Sequence, residues 1–268
     1  MDSLFGRLDP PAAAAEGIEH WQPTELARGP WSPDALHGGP TAALLTRAME
    51  RLESPVPMRL TRVTVELLRP VPVAPLWVSA AVIRPGRKVG MLEASLGRAD
   101  DGQLVAIARA QRIRAAPLDF PDGVSAQESA PPLPEDAQTI DQTYVAYHNA
   151  AVEHRFLRGV FGEPGPSYDW VRLRVPVVPD EEPTGWQRAA AAADFANGIS
   201  SVAPWDGSAV FINPDLTLTL WREPAGEWIG LDAVTRTSND GIGASDTQIW
   251  DRTGCVGRAN QSLLLDRL

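Results

Sequence analysis

Two stretches of the chain carry apolar and polar residues in alternation, and a segment with helical spacing opens or interrupts each. In TAALLTRAMERL the apolar positions Ala43, Leu44, Ala48 and Leu52 fall on one face of a helix entered through Gly38, Gly39 and Pro40. The prolines at 55 and 57 end it. Strand patterns follow in LTRVTVELLRPV and from LWVSAAVIR to AQRIRA, with turn signals at residues 84–88 and at Asp100, Asp101 and Gly102. This predicts a helix followed by an antiparallel meander. The second stretch has the same grammar. Ser167 to Val175 alternates as a strand, and Thr184 to Ala203 reads as an alanine-rich helix with a glycine break. LTLTLWREP, WIGLDAVTRTSNDGIGASDTQIW and CVGRANQSLLLD then read as strands, with turns at 238–241 and 253–254.

The two stretches can be laid over each other. Leu67 matches Leu220 and Gly90 matches Gly243 at an offset of 153, and Gln111 matches Gln261 at 150. Between them, from Ala116 to Asp141, the chain is rich in Pro, Ser and acids and has no apolar periodicity, which is linker composition. The expected organisation is an N-terminal domain over 1–117, a linker over 118–142 and a C-terminal domain over 143–268. The expected fold class is α+β, two copies of one unit, each an antiparallel sheet wrapped around a central helix.

Composition narrows the chemistry. The 268 residues are 44% hydrophobic and 22% charged, an ordinary globular balance, with no run of about 18 apolar residues to span a membrane. A net charge of −10 repels polyanions, so no nucleic-acid partner is expected. A single cysteine, Cys255, excludes an internal disulfide, and with four scattered histidines it makes no zinc cluster, so no metal is expected. Cys255, within a strand pattern, reads as buried and inert. Glycine-rich nucleotide loops are missing, and no cofactor is expected. The opening MDSLFGRLDPP has no basic stretch followed by an apolar run, which makes a cytoplasmic protein without a membrane partner the expectation.

The segment from Trp31 through His37, Gly38 and Gly39 to Leu45 resembles the entry to the central helix of hotdog-fold acyl-CoA thioesterases. The hairpin from Val82 to Ser95 and the strand Ala108-Arg-Ala-Gln111 resemble the hairpin of the same group. The tandem order, over nearly the whole chain, is similar to the double-hotdog, thioesterase II or TesB-like family. The resemblance implies a tandem double hotdog that takes acyl-CoA as substrate, hydrolyses the thioester with an activated water, and assembles as a homo-oligomer. It implies Asp194, Thr217 and Gln261 as the catalytic residues, with Thr219 as the alternative hydroxyl on the same strand face. It implies His37, Gly38 and Gly39 as substrate-binding residues at the helix entry, where glycine admits a ligand carbonyl to backbone N–H groups. Arg84, Arg87 and Lys88 would meet the CoA phosphates. The ninth residue after His37 is Thr46, so the first repeat lacks an acid of its own.

Plain structural roles compete with these. Asp194 can cap a helix, Gln261 can satisfy a sheet edge, and the hairpin cations can be a solvated tip. Rival chemistries lack their residues: there is no Gly-x-Ser-x-Gly elbow, and although Asn213 and Pro214 suggest a hydratase-type motif, no histidine follows His154. The alternative from another class is a non-catalytic acyl-CoA or lipid-binding double hotdog.

Overall fold

The computed structural model describes residues 2–11, 17–118, 128–137, 144–206 and 209–267. Of the expected linker, 119–127 and 138–142 lie outside the described residues. The elements in chain order are β1 (Phe5–Leu8), β2 (Glu19–Pro23), α1 (Gly38–Glu50), β3 (Met58–Leu67), β4 (Leu76–Arg84), β5 (Val89–Arg98) and β6 (Leu104–Arg114). After these come β7 (Val152–Arg158), β8 (Ser167–Leu173), α2 (Gly185–Ala193), α3 (Ala196–Ile199), β9 (Ala209–Ile212), β10 (Asp215–Leu220), β11 (Trp228–Thr237), β12 (Ile242–Asp251) and β13 (Gly254–Arg267).

The strands form one antiparallel sheet in the order β1-β2-β4-β5-β6-β3-β10-β13-β12-β11-β8-β7, with β9 also on β13. Its two halves meet where β3 pairs with β10, and there Thr64 lies directly opposite Thr217. Those threonines are 153 apart, so each is the other's counterpart in the repeat and an approximate two-fold axis passes between them. The strand registers extend the correspondence. Thr64 pairs with Arg109 and Thr217 with Asn260, an offset of 151, and Gly90 pairs with Arg112 as Gly243 pairs with Leu263. Gln261 therefore corresponds to Ala110 rather than to Gln111. The one-residue difference matters because successive strand residues face opposite sides.

Alternation explains which face curls inward. Val63, Val65, Leu216, Leu218 and Leu220 are buried against the helices, while Thr217 and Thr219 between them point to the outer face. Both helices lie in the trough this makes. Leu44, Leu45 and Met49 of α1 are fully buried, each contributing about 2 kcal/mol of apolar burial. The alanine run of α2 has a packing reason: small side chains let the helices approach until a Cβ on Gly39 would lie 2.3 Å from the carbonyl oxygen of Ala191. The helix expected over 184–203 is shorter than its composition suggested. It stops at Ala193, Asp194 caps it, and a tight turn from Phe195 N–H to the Ala192 carbonyl leads into α3.

Candidate active site

The helices α1 and α2 run antiparallel, so the entry of α1 meets the exit of α2, and a cavity of about 440 Å³ opens there. Its polar wall comes from His37 and Gly38 at the entry, Asp194 and Asn197 at the exit, and Asn213 just before β10; Trp31, Phe161, Phe195, Trp205 and Phe211 supply much of the rest. His37 is the N-cap of α1, its ring packed against the stacked rings of Tyr147 and Phe195 with centroids 5.1 and 4.7 Å away. Its Nδ1 lies 2.8 Å from Asp194 Oδ2 and 3.2 Å from Gly39 N. A lone pair on Nδ1 would face an ionised carboxylate at that distance. The shorter, charge-assisted contact decides the tautomer, and Nδ1 carries the proton. Nε2 then has no protein partner among the described residues.

Asp194 is held from several sides. Asn213 Nδ2 donates to Oδ1 at 2.8 Å, and Gln261 Nε2 donates to Oδ1 at 3.3 Å and to the Asp194 carbonyl at 3.4 Å. Gln261 is locked in turn by the Asn197 N–H, which donates to its Oε1 at 3.2 Å. Burial alone would raise the Asp194 carboxyl. Coulombic attraction to the His37 ring, with hydrogen bonds from His37, Asn213 and the Gly39 N–H, overcomes that and holds it below the ordinary carboxylate range. An ionised carboxylate beside an imidazole with one free nitrogen is the arrangement that orients a general base.

The two glycines serve this arrangement differently from the sequence expectation. A Cβ on Gly38 would sit 2.6 and 2.8 Å from the Asp194 oxygens, and one on Gly39 would strike the α2 backbone. They admit the carboxylate and the second helix, and Gly38 also lines the cavity. Gly39→Ala is accordingly expected to destabilise the fold by about 1–3 kcal/mol, because the obstacle is backbone. A urea midpoint unchanged from wild type would contradict this.

Of the other expected site residues, Gln261 joins Asp194, and the threonines and hairpin cations lie elsewhere. Thr217 faces the outer side of the sheet, where its hydroxyl donates to Thr64 Oγ1 at 3.2 Å; its neighbour on β13 is Asn260, not Gln261. Thr219 is on that same outer face, so a two-residue shift does not bring a hydroxyl to Asp194. Gln261 touches Asp194 from behind without lining the cavity. Arg84, Arg87 and Lys88 are remote: the Arg114 N–H bonds the Lys88 carbonyl, Arg114 pairs with Met58, and Met58 is at the far end of β3 from the cavity-lining Leu67. Ten residues of strand, about 30 Å, separate those ends. Asn213 was missed as a site residue, although its place between an apolar run and a strand was visible; Arg69, which also lines the cavity, stands out in the sequence only as part of the match between Leu67-Leu68-Arg69 and Leu220-Trp221-Arg222.

The opposite end of the helix pair shows how differently the repeats are equipped. Asp194 stands ten residues after the α2 N-cap Thr184, and ten residues after His37 stands Arg47. Arg47 is 1% exposed, bound to Glu19 at 2.7 Å and to Glu181 at 2.6 Å. At the entry of α2, carboxylates of the chain itself take the donors: Glu50 accepts from Thr184 Oγ1 and Gln187 Nε2, and Glu223 accepts from the Gly185 N–H.

Comparison with known proteins places both parts of the chain in one family. Residues 27–113 match the model of the acyl-CoA thioesterase N-terminal domain, and residues 122–265 match that of the acyl-CoA thioesterase C-terminal domain. The chain belongs to the acyl-CoA thioesterase family. No curated protein sequence matches this thioesterase-family chain. Among solved structures it is similar to a proposed thioesterase II of Thermobifida fusca, with a TM-score of 0.73 at 17% identity over 98% of this chain and 95% of that one. A hot dog fold protein of unknown function from Alicyclobacillus acidocaldarius gives 0.73 at 16% identity, covering 95% of each chain. The acyl-CoA thioesterase II TesB2 of Mycobacterium marinum gives 0.66 at 15%, over 94% and 92%. These likenesses assign the hotdog fold to this member of the family. No helix among its described residues is long and apolar enough to cross a membrane.

Proposed function

We propose that the protein is a tandem double hotdog, with repeats over 1–117 and 143–268, that hydrolyses acyl-CoA thioesters at the His37–Asp194 cavity. The observation that carries this reading is the 2.8 Å contact between His37 Nδ1 and a buried, ionised Asp194 at the head of an apolar cavity. His37 Nε2 takes a proton from water, the resulting hydroxide attacks the thioester carbonyl carbon, and Asp194 stabilises the imidazolium. The first-turn N–H groups of α1, beside Gly38, supply positive potential to the carbonyl oxygen as it becomes an oxyanion. When the tetrahedral intermediate collapses the carbon–sulfur bond breaks, and the imidazolium returns its proton to the departing CoA thiolate. Gln261 and Asn213 act as positioning residues that keep Asp194 turned toward His37.

The direct test is thiol release from a panel of acyl-CoA esters from acetyl to palmitoyl. Release from none of them, with the esters still bound, would leave the non-catalytic binding reading in place. The CoA phosphates fall to Arg69, an exposed cation on the cavity wall without an ion-pair partner among the described residues. Arg69→Glu is expected to raise KM by roughly an order of magnitude, more at low salt, with little change in kcat. Arg87→Glu at the remote hairpin should leave KM where it was, and equal effects of the two would contradict this placement.

A further inference from the structure

Most polar side chains in the cavity are already engaged with one another. His37, Asp194, Asn213 and Asn197 form a connected set through contacts of 2.8 to 3.5 Å, completed from behind by Gln261. His148 stands outside that set. It lines the same cavity from a wide helical turn (Tyr147–Ala151), a local geometry that recurs at functional sites. It is only 7% exposed, and neither of its ring nitrogens has a protein partner among the described residues. A hydrogen-bonding group enclosed this far and left unpaired costs about 1–3 kcal/mol. That cost falls away when a ligand supplies the partner.

The protonation state limits which partner suits it. Burial, reinforced by coulombic interaction with His37 and His154, pushes His148 down to about 4. At neutral pH the ring is uncharged and offers one donor and one acceptor, which suits a hydroxyl or a keto oxygen rather than a second ionised group. Its surroundings sharpen the contrast. Trp31, Phe161, Phe195, Trp205 and Phe211 present apolar rings to the cavity, and against them His148 and the Thr41 hydroxyl are the buried polar groups of the lining that have no partner among the described residues. A ligand group placed against His148 must either match it or leave it unpaired.

We propose that His148 is a specificity-determining residue, and that it selects thioesters whose acyl chain carries a neutral oxygen function, a hydroxyl or a keto group, over unsubstituted chains of the same length. This rests on the hydrolase reading of the same cavity. The experiment pairs butyryl and octanoyl chains with their β-hydroxy, β-oxo and ω-hydroxy counterparts. Turnover is measured on the CoA thioesters. Binding is measured in parallel on the corresponding CoA thioethers, which cannot be hydrolysed, through quenching of tryptophan fluorescence.

In the wild-type protein at least one oxygenated partner should exceed its plain chain by about 100-fold in kcat/KM. His148→Leu should lower turnover of the oxygenated member and raise that of the plain one, a crossing that loss of structure does not produce. His148→Gln keeps a donor and an acceptor and should retain part of the preference. Equal kcat/KM across every pair in the wild type overturns the proposal, as does a preference that persists in His148→Leu. If no thioester is hydrolysed, the hydrolase reading fails by itself, and the thioether affinities still decide whether His148 recognises the oxygen.

Discussion

Asp194→Asn is expected to lower kcat for acyl-CoA hydrolysis by about 10²–10⁴-fold while the protein stays folded. In the proposed mechanism the carboxylate has two tasks. It fixes the proton of His37 on Nδ1, leaving Nε2 free to accept, and it balances the charge that His37 gains from water. An amide in its place keeps the shape but can turn its NH₂ toward His37, which favours the wrong tautomer and leaves the imidazolium unbalanced. His37→Gln should cost a similar factor. If the two residues act as one unit, the double variant falls little further than either single one, because the second substitution removes something already lost. Additive losses would instead mean that Asp194 handles the water by itself. A kcat for Asp194→Asn within a few-fold of wild type would remove Asp194 from the mechanism. Stability supplies a separate check. A carboxyl held below its ordinary value contributes stability above its unfolded-state value and loses it as the pH falls through the folded one, so wild type and variant should converge in strong acid.

Glu50→Gln is expected to stabilise the protein at pH 8 by as much as about 3 kcal/mol and to change little at pH 4. Glu50 closes the other end of the helix pair. Burial raises its carboxyl to about 7, against hydrogen bonds from Gln187 and Thr184 that favour the ionised form, with the charge of Glu223 adding to the rise. The folded state therefore holds this proton more tightly than the unfolded chain does. Its contribution is complete below about pH 4.5 and is lost as the pH climbs to about 7, above which the folded protein carries a buried, ionised carboxylate. Glutamine can still accept from Thr184 and Gln187 through its carbonyl oxygen, and it has no charge to desolvate. Denaturation midpoints of the two proteins should separate with rising pH. Curves that run parallel from pH 4 to pH 8 would contradict the burial of Glu50 as its controlling influence.

Much of the fold was legible because strand alternation and helix spacing are local properties. Gly90 and Gly243 occupy equivalent places in the sheet, and the strands expected in both repeats formed near their expected limits. The short strands β1, β2, β7 and β9 were not foreseen, since four to seven residues of mixed character carry too little periodicity to stand out. Asp194 could be singled out because the resemblance pointed to it and a carboxylate in an alanine run is costly to bury without a partner. The hydroxyl could not be placed the same way. Thr217 and Thr219 fit the motif, but Leu216, Leu218 and Leu220 claim the inner face of β10, and the threonines have only the outer face left.

Composition and periodicity pointed to helices, antiparallel strands and a net negative charge, because each depends on residues close together in the chain, and the family resemblance pointed to Asp194. Tertiary structure alone decided which residues serve that acid. His37 lies 157 positions before Asp194 and Gln261 lies 67 after it, and they meet only because antiparallel helices bring the entry of one against the exit of the other. The same reversal carries the Arg84 hairpin to the far end of the sheet and puts Arg47 where a second acid would stand. Spacing along a chain gives no information about which ends of two helices will touch. That is set by the path of the whole sheet around them.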